Sequence, residues 1–175
     1  NDSWSFGNGS IFVSIASYCD SQIIDTLKSL YSEAIDPSRV YVGVNLQDTE
    51  EAYEKLKQLN FPNLKIIFTP KEEAKGVVYA RNRIKNELVG NEDYFLQVDS
   101  HSRFREAWDA ILIHQYNSIE EGKVILTTYP NHFDVPDYEK KYLDKYSKGD
   151  VSDEEQDVDD EPYYDDEPYY KSAEE

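Results

Sequence analysis

The sequence predicts an α/β fold: a Rossmann-type, mostly parallel sheet flanked by helices, followed by an acidic tail. Two observations carry that expectation. Five short apolar runs before residue 130 alternate with segments of helical period, the pattern of successive βαβ units. Several of those runs also stop at polar residues able to hold a ligand, as expected where open α/β sheets bind beyond the carboxyl ends of their strands.

Residues 1–9 are a polar, glycine-bearing lead-in, and 10–136 hold the domain. Ile11 to Ala16 reads as a buried strand. Ile23, Ile24, Leu27, Leu30, Tyr31 and Ala34 then share one helical face, with Asp20 or Ser21 placed to cap it and Pro37 to end it. Arg39 to Asn45 is a second strand, alternating through Val40, Val42 and Val44. Asp48 and Glu51 have the spacing of a capping box before a helix that would bury Ala52, Leu56 and Leu59. Leu64 to Phe68 is a third strand. Val77, Ala80, Ile84 and Leu88 mark the next helix, with Gly90 as its C′ residue. The strand Tyr94 to Val98 runs into Asp99-Ser100-His101. Phe104, Trp108, Ile111, Leu112 and Ile119 outline a further helix, with Trp108 a core residue, and Lys123 to Tyr129 is a fifth strand.

Beyond residue 136 the periodicity stops. Residues 137–149 form a charged segment with helical potential. In 150–175, 13 acidic residues stand against one lysine, and Asp-Asp-Glu-Pro-Tyr-Tyr occurs at 159–164 and again at 165–170. Such a composition buries too little apolar surface to offset the entropy of ordering it, so disorder is expected, with an interaction tail as the functional alternative.

The formal net charge of the 175 residues is −18, of which −12 belongs to that tail. Neither part offers the basic surface that nucleic acid would need. One cysteine, Cys19, excludes an internal disulfide and a cysteine-rich zinc site, and its surroundings predict a small buried filler. No apolar run is long enough to span a membrane, and no signal peptide is visible. A start at Asn1 and the lack of methionine point to a trimmed chain, and the cytoplasm is the expected compartment.

The chemistry gathers where strands end. In extended chain, residues i and i+2 point the same way, so Asp99 and His101 face one site while Ser100 turns inward. Carboxylate and imidazole donors suit a divalent ion such as Mn²⁺ or Mg²⁺ with positions left for phosphate oxygens. Ser17-Tyr18-Cys19-Asp20, Asn45-Leu46-Gln47 and the Lys75–Asn82 segment lie at the same predicted sheet edge. Gly76 admits close backbone approach, and the helix after it directs its amino end at an anion. Arg81 offers a charged fork for phosphate or carboxylate, unless it pairs on the surface with Glu73 or Glu87. A diphosphate ~4 Å from a carboxylate would be repelled by about 4 kcal/mol at an effective dielectric of ~20, which a bridging cation removes. His114 and His132 read as surface histidines, with His132, after the fifth strand, a third candidate ligand.

Five ordered blocks then carry a resemblance: Val13–Asp20 (VSIASYCD), Val42–Gln47 (VGVNLQ), Ala74–Arg81 (AKGVVYAR), Gln97–Phe104 (QVDSHSRF) with Trp108-Asp109, and Thr127–Pro130 (TTYP). Together they resemble the N-acetylglucosaminyltransferases typified by the enzyme that modifies hydroxyproline on Skp1. The resemblance implies the nucleotide-sugar half of a GT-A glycosyltransferase, a UDP-GlcNAc donor, a protein hydroxyl acceptor and a retaining transfer. It casts Asp99 and His101 as the metal motif. Ser17, Tyr18, Asp20, Gln47 and Arg81 fall where such enzymes hold uridine and diphosphate; Lys75, Gly76 and Ser100 complete the expected substrate-binding set. The chain departs from the pattern at Cys19, where arginine is expected, and after the fifth block, where the acidic tail replaces an acceptor segment. A truncated or catalytically silent UDP-sugar-binding module is the alternative expectation.

Overall fold

The computed structural model describes residues 9–120, 122 and 124–131. Residues Asn1–Pro130 form one compact unit and Asn131–Glu175 another. The sheet and its helices all belong to the first unit. The proposed helix at 137–149, the acidic tail and His132 lie outside the described residues.

Eight elements alternate along the chain: β1 (Ile11–Tyr18), α1 (Ile23–Ser32), β2 (Val40–Asp48), α2 (Glu50–Gln58), β3 (Leu64–Pro70), α3 (Val77–Glu87), β4 (Tyr94–Asp99) and α4 (Trp108–Asn117). The four strands make one parallel sheet in the order β3-β2-β1-β4. Register sets Ile11 beside Val40 and Tyr94, so one row of alternate residues faces one side throughout. That side carries Ile11, Val13, Ile15, Val40, Val42, Val44 and Leu46, packed against Leu27 and Leu30 of α1, Leu56 of α2, and Trp108 and Ile113 of α4. Val13, Leu27 and Leu30 are fully buried. Burying a Leu-sized side chain stabilises by about 1.5–3 kcal/mol, and this layer holds more than a dozen such residues, so it is the main source of stability.

The opposite side is covered by α3, whose Ala80 and Ile84 are buried. Gly43 makes that approach possible, because a Cβ there would lie 2.5 Å from the Phe12 ring and 3.1 Å from Ile84. Asp109 on α4 is wholly buried and accepts from the Ile35 and Asp36 N–H groups (2.9 and 3.2 Å) and from Arg39 Nη2 (2.9 Å). It ties α4 to the turn leading into β2. Trp108 is core as expected, with its Nε1 donating to the Leu30 carbonyl at 2.8 Å.

Several expectations need correction. The fifth strand does not form: residues 124–131 are irregular, with Ile125 90% and Tyr129 98% exposed. A run of β-branched and apolar residues makes a segment competent for a strand, but a ladder needs a partner, and β4 pairs only with β1 among the described residues. The first helix starts later than its cap signal; Gln22 is the N-cap, without a side-chain bond, and Asp20 is engaged elsewhere. The second helix is capped by Thr49, which accepts from the Ala52 N–H at 3.3 Å, and not by Asp48; it buries Leu56 but leaves Leu59 exposed. Helix α3 ends at Leu88 in right-handed conformation, so Gly90 is not a left-handed C′ residue. Strands β1, β2 and β3 outrun their apolar runs, because the parallel ladder continues through Tyr18, Asp48 and Pro70.

Candidate functional site

From β1 the chain steps outward to β2 and β3, then returns to β4 on the other side of β1. The strand order therefore reverses between β1 and β4, and the carboxyl edge there is the switch point at which such sheets bind ligands. A cavity of about 490 Å³ occupies this place. Register sets Ala16 between Asn45 and Asp99, and this small residue lies on the cavity's floor. Tyr18, 60% exposed, stands at the rim.

One wall of the cavity comes from the segment between β3 and α3. Gly76 is the N-cap of α3 at φ 85°, a left-handed region that favours glycine, and it lines the cavity with Ala74 and Val77. The first turn of α3 thus brings unpaired N–H groups to the cavity. Lys71 also lines it, whereas Lys75 lies over the Tyr79 ring at 5.2 Å and does not. Lys71 escaped the sequence reading; its signal is a basic residue directly after the carboxyl end of a strand.

The opposite wall holds the carboxylates and the imidazole. Asp99 ends β4, its side chain 64% exposed, and its Oδ1 accepts from Arg81 Nη2 at 3.1 Å. Arg81 therefore pairs with Asp99 and not with Glu87, which is bound by Arg83 at 2.8 Å, or with Glu73. The buried Arg81 Nε has no partner among the described residues. His101 Nδ1 lies 2.9 Å from Asp20 Oδ2, and Ser100 Oγ donates to the same oxygen. Asp20 Oδ1 accepts from the Gln22 N–H at 2.9 Å.

The remaining residues divide between cavity and interior. Gln47 lines the cavity, is 2% exposed, and its Oε1 has no partner among the described residues. It lies on β2, not on a loop. Ser17 is wholly buried on the apolar side of β1, away from the cavity lining, with its Oγ unpartnered among the described residues. Cys19 is exposed and not a buried filler. It adopts φ 46°, and its N–H donates to the Gln47 carbonyl at 3.0 Å. The Cys19 thiol is held above its ordinary pKa by partial burial and by Asp48. His114 is exposed on α4, as expected of a surface histidine.

The donor set suits a divalent cation. Asp99 and His101 line the same cavity, Arg81 occupies only one Asp99 oxygen, and the His101 Nδ1 contact leaves Nε2 for a ligand. Among the described residues no cluster of three or more His, Cys, Asp or Glu is arranged for a metal. Two protein ligands are what a cation carrying diphosphate oxygens and water needs.

Among solved structures, TarS 1–349 from S. aureus in complex with UDP-GlcNAc aligns over 62% of this chain at 20% identity (TM-score 0.50). A second S. aureus TarS structure aligns over the same share at 22% identity (TM-score 0.50). The chain spans 30% and 20% of those two proteins. At such identities the likeness establishes architecture alone, the α/β fold of GT-A glycosyltransferases. No curated protein matches the sequence, and no helix among the described residues is long and apolar enough to cross a membrane. The family model described as Glycosyltransferase (GlcNAc) matches residues 10–59 and 48–153. Those spans take in every strand, both walls of the cavity and the Asp99–His101 motif, and by them the chain belongs to the GlcNAc glycosyltransferase family.

Proposed function

We propose that this chain holds the donor-binding part of a metal-dependent glycosyltransferase that moves GlcNAc from UDP-GlcNAc to a protein hydroxyl with retention. The observation that carries the donor assignment is the cavity at the switch point, where Asp99 and His101 face the amino end of α3 across the Ala16 floor. Asp99 and His101 hold the divalent ion, Mn²⁺ or Mg²⁺, which when bound offsets the negative charge that builds on the departing diphosphate. Gly76 and the α3 amino end receive phosphate oxygens through backbone N–H groups, with Lys71 supplying positive charge at the same wall. Arg81 holds Asp99 in place, and its buried Nε has no partner among the described residues. Gln47 presents an amide oxygen, without a partner among the described residues, to a polar group of the nucleoside, and Tyr18 offers a ring at the rim.

Titration calorimetry with UDP and UDP-GlcNAc, with and without Mn²⁺, tests this reading. Binding that needs the cation and vanishes in Asp99→Ala is expected; equal UDP affinity in EDTA would remove the metal. Donor hydrolysis or transfer by the metal-loaded protein separates an enzyme from a silent binding module, the second reading. That second reading is favoured by one feature, Cys19 at the position where the resemblance expects arginine.

A further inference from the structure

We propose that Asp20 is a positioning residue for His101, locking its ring as the Nδ1–H tautomer so that Nε2 offers a lone pair at the cation site; the inference rests on the metal reading above. An ionised carboxylate only accepts, so the 2.9 Å contact between Asp20 Oδ2 and His101 Nδ1 requires the proton on Nδ1. Asp20 is not free for other work. Its Oδ2 also accepts from Ser100 Oγ, its Oδ1 accepts from the Gln22 N–H, and its side chain is 18% exposed. It does not cap α1, whose N-cap is Gln22.

The backbone beneath the ring is fixed separately. Thr26, wholly buried on α1, donates to the Ser100 carbonyl at 2.6 Å and accepts from the Ser102 N–H at 3.0 Å. Ser102 Oγ closes the turn on the Asp99 carbonyl at 2.9 Å. Helix α1 therefore grips the loop through Thr26, and the β1 turn grips the ring through Asp20. A His101 side chain that is 61% exposed would otherwise rotate freely. A carboxylate behind a metal-ligating imidazole fixes both the tautomer and the plane of the ring, and losing it commonly costs 10–100-fold in metal affinity.

The test uses the full chain, ¹⁵N-labelled and free of metal, at a pH where imidazole is neutral. Long-range ¹H–¹⁵N correlation reports which ring nitrogen carries the proton, and His101→Gln assigns the signal. The Nδ1–H form is expected in the parent; an Nε2–H ring there overturns the proposal without any variant. Asp20→Ala and Asp20→Asn are then expected to shift the ring toward Nε2–H and to weaken Mn²⁺ binding, followed by electron paramagnetic resonance, by about 10–100-fold. Variants that bind Mn²⁺ within a factor of two of the parent overturn the positioning role alone. So do variants that lose UDP affinity at saturating Mn²⁺ while holding Mn²⁺ normally, which would make Asp20 a direct nucleotide contact. A parent that binds no Mn²⁺ overturns the metal reading and this inference with it, and the parent's tautomer still shows whether the Asp20 contact exists.

Discussion

The two faces of the sheet are built from the same four strands and serve opposite ends. On one side Ile11, Val13, Ile15, Val42 and Val44 meet three helices and exclude water. On the other, the alternate residues include Ser14, Asn45, Gln47 and Thr69, all buried, and Asp99, exposed. Buried atoms of Ser14, Asn45 and Gln47 lack partners among the described residues, as does Arg81 Nε above them. An unsatisfied buried polar atom costs about 1–3 kcal/mol, so this face is expensive for stability unless water or ligand completes it. On the apolar side, Ser17 Oγ and Tyr31 OH also lack partners among the described residues. The contrast assigns stability to one face and recognition to the other.

The largest expected effect comes from Asp109, which anchors the apolar side. Asp109→Ala removes the ion pair with Arg39 and leaves the Ile35 and Asp36 N–H groups without this acceptor, and should cost about 3–5 kcal/mol in urea unfolding. Burial pushes the Asp109 carboxyl up, but the Ile35 N–H, the Arg39 guanidinium and the Asp36 N–H together pull it below its ordinary value. With the folded pKa below the unfolded one, this contribution is complete above about pH 4 and fades as pH falls through the folded value. Melts of Asp109→Asn should accordingly lose less on acidification than those of the parent; equal acid sensitivity in both proteins would show that the carboxyl is not depressed.

Leu27→Ala, a pure cavity change on the same side, should cost about 2–5 kcal/mol of stability and leave UDP–Mn²⁺ affinity unchanged once folded. A matching loss of affinity would mean that the two faces are not independent. Arg81 tests the other side. Arg81→Ala should cost about 1.5–3 kcal/mol of donor binding, and Arg81→Lys should restore only part, because lysine keeps the charge but not the planar fork. Parent-like affinity in both variants would place Arg81 outside the site's chemistry. The smallest effect is expected at Ser14. Ser14→Ala removes a hydroxyl that lacks a partner among the described residues, so it should not destabilise the protein, and a loss above about 1 kcal/mol would reveal a partner for Ser14 Oγ.

What the sequence determined by itself was the list of elements and the face each residue takes. Period-2 and helical spacing are local properties, so β1 to β4 and α1 to α4 were legible, as was the placing of Asp99 and His101 at a strand's end. Gly76 and Gln47 were legible as cavity-lining residues because Gln47 ends an apolar run and Gly76 precedes a helical one. Tertiary structure decided which groups meet. Asp20 lies 81 residues from His101 and Asp109 lies 70 from Arg39, and nothing in either local pattern names the partner. Tertiary structure also left the run at 124–129 irregular, because no strand pairs with it among the described residues. It also carried the strands past their apolar runs, because a parallel ladder extends for as long as a neighbour supplies hydrogen bonds, whatever the polarity of the side chains.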